Sequence, residues 1–98
     1  MRDRCEKDVQ AVIRRYSDLC RSYHAVLEGK TSAGEWIAAA RQVLLQADRA
    51  IRGLRELIYR PRLSDERVVA YQWRSQLALV QRDLADMTQY LQVTSGGR

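Results

Sequence analysis

Apolar residues recur along this chain at alternating steps of four and three, in three separate runs. The first run holds Cys5, Val9, Val12, Tyr16, Leu19, Tyr23 and Val26. That spacing returns to one side of an α-helix for more than three heptads. Ile13, Cys20 and Leu27 lie beside the seam and widen it to the face a bundle helix needs. The pattern predicts a helix over residues 3–27, with Gly29 as its stop.

The second run holds Trp36, Ala40, Val43, Ala47, Ala50, Leu54 and Leu57, with Ile37, Leu44, Ile51 and Ile58 recurring every seven beside it. Together they cover an arc of roughly 160°, wide enough to face two neighbours. Ser32 and Glu35 fit a capping box at its start. Pro61 disfavours helix at Arg60, so the central helix is expected over 33–59. Ser64 is the expected cap of the third helix, with Asp65 and Glu66 favouring the positive end of its dipole. Leu63 and Val68 have the spacing of a hydrophobic staple. Val69, Trp73, Leu77, Val80, Leu84, Met87 and Leu91 then carry a helix over 65–92. The polar residues 94–98 read as a flexible tail.

Helices of about 26 residues joined by turns of four or five must pack against their sequence neighbours. The expected fold is all-α: an up-down-up antiparallel three-helix bundle forming one domain over residues 1–93. Leu45, Tyr71 and Leu79 fall off the main seams, leaving apolar surface for self-association into a homo-oligomer or docking on a partner. At 98 residues the chain has room for one core and no deep multi-layer active site.

Charge adds a direction to this scaffold. The chain carries +5, and residues 49–62 hold five arginines against the single acid Glu56. Arg41, Arg52 and Arg55 are expected along one flank of the central helix, with Arg49 near its back and Arg60 and Arg62 carrying the charge around the turn. Lys7, Arg14 and Arg21, spaced by seven, form a secondary basic stripe on the first helix. Fifteen of the seventeen cations are arginine, which suits bidentate contact with phosphate or carboxylate. A solvated face laced with weak pairs such as Asp48–Arg52 is the bland alternative.

Several chemistries lack their residues. No apolar run approaches the roughly 20 residues of a membrane span, and the charged N-terminus shows no signal-peptide core. Cys5 and Cys20, roughly 22 Å apart on one helix, cannot bridge each other, and free thiols fit a cytoplasmic location. One histidine and two distant cysteines make no metal site, and no glycine-rich phosphate loop follows a strand, so no cofactor is expected. Cys20 and His24 share a helix face as a minimal activated thiol does, but without an orienting acid or oxyanion donors. Asp83 and Asp86 read as a solvated surface, and Trp36 and Trp73 as core. No catalytic residue is assigned.

The expectation is therefore a non-enzymatic helical module that contacts an RNA or single-stranded DNA backbone through Arg41, Arg49, Arg52, Arg55, Arg60 and Arg62. In size, helicity and arginine-rich charge the chain resembles the small helical subunits of CRISPR effector ribonucleoproteins. That resemblance implies a place in a larger assembly and assigns no residue. The alternative is a protein-interaction module (an adaptor, a chaperone or a phage-encoded inhibitor) whose basic face meets an acidic partner surface.

Overall fold

The computed structural model describes residues 2–96. Four helical segments follow one another: α1 (Arg2–Leu27), α2 (Ala33–Gly53), α3 (Arg55–Tyr59) and α4 (Ser64–Gly96). They build three rods, because α3 continues the line of α2 after a single interrupting residue. The result is an all-α three-helix bundle, drawn out to 53 × 19 × 15 Å. α1 and α4 both pack on α2, and more weakly on each other.

Burial follows the heptad seams. Cys5, Val9, Val12, Leu19 and Val26 are buried on α1, and all seven seam residues of the central rod are buried. On α4 the core is Ala70, Leu77, Val80, Leu84 and Leu91, with Trp73 and Met87 packed against it at half exposure. Leu54, Leu77 and Leu84 are completely enclosed. Trp36 adds a polar anchor: its Nε1 donates to the Leu19 carbonyl at 2.9 Å, and its ring meets Tyr23 at 5.2 Å between centroids. Both contacts lock α2 to α1 near the first turn.

The turns use identifiable devices. After α1, Gly29 adopts φ +76°, the Lys30 N–H donates to the Ala25 carbonyl and the Gly29 N–H to Val26. This is a Schellman closure, and it requires a residue that tolerates the left-handed region. At the start of α2, Ser32 Oγ accepts from the Glu35 N–H.

Three expectations are corrected. The central helix does not run unbroken over 33–59. At Leu54 the N–H pairs with the Ile51 carbonyl in a tight three-residue step before α3 resumes. Gly53, which has no side chain to hold the turn together, immediately precedes the break. Second, Ser64 does not precede the last helix as its cap but is already its first residue. The carboxylate of Glu66 reaches back instead, accepting from the N–H groups of Arg62 (2.6 Å) and Leu63 (3.2 Å). It is half of a capping box set one residue earlier than Ser64 implies. Leu63 and Val68 stay 60% and 57% exposed, so no staple closes there. Third, residues 94–96 of the flexible tail expected at 94–98 instead continue α4; residues 97 and 98 lie outside the described residues.

Candidate functional site

All six arginines expected at the site are exposed. Their surroundings divide them into three groups. Arg49 borders a groove of about 540 Å³ between α1 and α2, together with Arg4, Cys5, Asp8, Gln46 and Glu56. Arg60 and Arg62 border a second cleft of about 400 Å³ at the α3–α4 corner, with Arg2, Asp3, Glu56 and Glu66. Arg41 and Arg52 run along the shoulder of α2 away from the α1–α2 groove, as 100° per residue requires, and Arg55 opens α3.

Pairing within these groups is sparse. Asp48 binds Arg52 at 2.8 Å, one turn away on the same helix. Among the described residues Arg41, Arg49, Arg55, Arg60 and Arg62 make no ion pair. On the secondary stripe Arg21 pairs with Asp18, while Lys7 and Arg14 are exposed and make no ion pair among the described residues.

Tertiary structure nevertheless changes the charge picture. Asp3 and Asp8 from α1, and Glu66 from α4, approach the arginines that look unbalanced in sequence. Each cleft then holds as many acids as guanidinium groups, two of each in the first and three in the second. The cationic surface is thus the outer edge, around Arg41 and Arg55, rather than the clefts. Arg2 joins the corner cleft and Arg4 the α1–α2 groove, although sequence counting assigned them no role. Up-down topology is the signal that finds them, because it returns the start of α1 beside the end of the central rod.

Arg67, also unassigned from sequence, has a structural task. Its Nε donates to the Ile58 carbonyl at 2.8 Å and so closes the end of α3 from α4.

The remaining reactive groups are quiet. Among the described residues no hydrogen bond joins Cys20 to His24, and His24 is exposed. Cys5 is buried with its Sγ 3.5 Å from the Gly53 carbonyl; burial, and then Asp8, push its thiol pKa up. Asp83 is more than a solvated acid, since it accepts the Tyr16 hydroxyl at 2.6 Å across α1 and α4. That bond, helped by partial burial, pushes the Tyr16 phenol well above its ordinary range. No group of three or more His, Cys, Asp or Glu side chains that could hold a metal ion is gathered among the described residues. No described helix is long and apolar enough to cross a membrane.

Fold and surface together define an extended three-helix bundle with an arginine-bearing edge. Comparison with protein families, with curated proteins and with solved structures gives no match.

Proposed function

We propose that the chain is a non-enzymatic binding module whose α2–α3 edge contacts the phosphate backbone of RNA or single-stranded DNA, within the cytoplasm and as part of a larger ribonucleoprotein-type assembly. The observation that carries the reading is Arg41 and Arg55, exposed on the outer edge and without an ion pair among the described residues; Arg49, Arg60 and Arg62, also without one, stand at the rims of the clefts. A guanidinium group held on a rigid helix and left unpaired retains its full capacity to neutralise a phosphate and release counterions. No base-reading constellation accompanies them, so contact is to the backbone and not to sequence. Balanced charge in the clefts directs the polymer across the outer edge rather than into a pocket.

The test is a binding titration of the full chain with labelled single-stranded RNA and DNA at several salt concentrations. Four to six contacts give a log–log salt slope of about −3 to −4. Arg41→Glu combined with Arg55→Glu abolishes that binding. No binding at low salt rejects the reading, and salt-sensitive capture of an acidic protein that persists after nuclease treatment assigns the same edge to a protein partner instead.

A further inference from the structure

Two tyrosines that the core leaves outside stand beside the arginine edge. Tyr59, the last residue of α3, is 73% exposed, and its ring joins no aromatic or cation–π contact among the described residues. Arg52, Arg55 and Tyr59 follow one another at steps of three and four, which sets all three on one flank of the central rod. A ring so placed adds almost nothing to the core.

α4 brings a second set to the same place. Arg67, Tyr71 and Arg74, at steps of four and three, share one line of that helix, and all are exposed. The bond from Arg67 Nε to the Ile58 carbonyl turns this line towards α3, next to Tyr59. α4 runs back along the central rod, so equal rise from that contact sets Tyr71 near the level of Arg55 and Arg74 near that of Arg52. The Arg74 guanidinium lies 5.4 Å from the centre of the Tyr71 ring, a cation–π contact that steadies the ring. Neither Arg67 nor Arg74 makes an ion pair among the described residues. The two acids that precede Arg67 are both engaged, Asp65 with Arg2 at 3.4 Å and Glu66 with the N–H groups of Arg62 and Leu63.

We infer that this shoulder between α3 and α4 stacks unpaired bases of a single-stranded nucleic acid on Tyr59 and Tyr71, with Arg67 and Arg74 as added phosphate contacts. The inference rests on the backbone contact proposed above and supplies what that contact lacks, a reason for the strand to be single. Guanidinium groups alone attract duplex and single strand alike. A tyrosine ring offers its flat face to a base of any type, but only to one that is not already stacked inside a duplex. Rings interleaved with unpaired guanidinium groups match the base and phosphate repeat of one strand. Arg67 spends its Nε on the Ile58 carbonyl and keeps its two terminal nitrogens for a phosphate. The shoulder then reads the presence of bases and not their order.

Fluorescence anisotropy of the full chain at low salt tests the inference with two labelled strands of equal length, a thymidine oligonucleotide and its abasic counterpart. Wild type is expected to bind the thymidine strand about tenfold or more tighter than the abasic one. Tyr59→Ala combined with Tyr71→Ala should remove that preference and leave affinity for the abasic strand unchanged. The paired Tyr→Phe substitutions keep both rings and should keep the preference. Both side chains are exposed, so circular dichroism of the variants should show unaltered helicity. Equal binding of the two strands by wild type overturns the stacking role while leaving backbone contact in place. So does a preference that survives the paired alanines, an equal loss towards both strands, or a loss of the preference with phenylalanine. Failure of wild type to bind either strand overturns the backbone reading and this inference together.

Discussion

The Tyr16 hydroxyl donates to the Asp83 carboxylate at 2.6 Å, tying α1 to α4 across 67 residues of sequence. α1 and α4 share the thinnest helix–helix contact among the three rods. A charge-assisted hydrogen bond there holds together the side of the bundle that packing secures least. Tyr16→Phe should lower stability by about 1–2 kcal/mol in denaturant unfolding, with little change in helicity.

The same bond sets an alkaline limit. An unfolded tyrosine ionises near pH 10. In the folded chain the phenol of Tyr16 is pushed up by Asp83 first and by burial second, and burial also raises Tyr23. The folded state therefore holds these protons more tightly than the unfolded one. The stabilisation is fully present below about pH 10 and is lost as pH rises beyond it. Melting curves should be level on this account up to about pH 10 and fall above it, and Tyr16→Phe should shallow the fall.

Glu66 should be costly to replace. It is 7% exposed and its carboxylate serves the N–H groups of Arg62 and Leu63. Glu66→Ala leaves both donors without that acceptor and should cost about 2–3 kcal/mol. Glu66→Gln keeps one acceptor oxygen and should cost less. Ser64→Ala should be close to neutral, the reverse of what a capping serine would give.

Two glycines should respond in opposite directions. A Cβ at Gly53 would meet nothing within 4 Å, and its φ is negative, so Gly53→Ala should stabilise by about 0.5–1 kcal/mol. Gly29→Ala has equal space but a backbone at φ +76°, and should destabilise by about 1 kcal/mol. Thermal unfolding of the two variants in parallel checks both signs.

Within the arginine edge, Arg52 is the member already engaged, at 2.8 Å from Asp48. If the edge binds an anion, Arg41→Ala and Arg55→Ala should each weaken binding more than Arg52→Ala. The pair itself contributes only about 0.3–0.5 kcal/mol to stability. Single-site titrations at fixed salt give the ranking.

The three rods were legible in the sequence because each is built on a heptad seam, and the seams of α1 and the central rod match the buried set closely. The break at Leu54 was not legible from that pattern, since Leu54 is itself a seam residue and fully enclosed. Only Gly53 hinted at it. Glu66 was hidden behind Ser64, whose residue type is the commoner cap. The partnering of Asp83 with Tyr16, and the approach of Asp3 and Asp8 to the arginines, depend on contacts distant in sequence. Local charge counting cannot contain them, so the cationic patch looked larger in sequence than it is in space.

The position of Cys5 has a consequence for chemical modification. Its sulfur is enclosed where α1 meets the end of α2, and its elevated pKa keeps it as the unreactive thiol rather than the thiolate that alkylating reagents attack. A maleimide should therefore label the half-exposed Cys20 first in the native protein. Capture of Cys5 would follow only as that end of the molecule opens, making it a built-in clock for local unfolding.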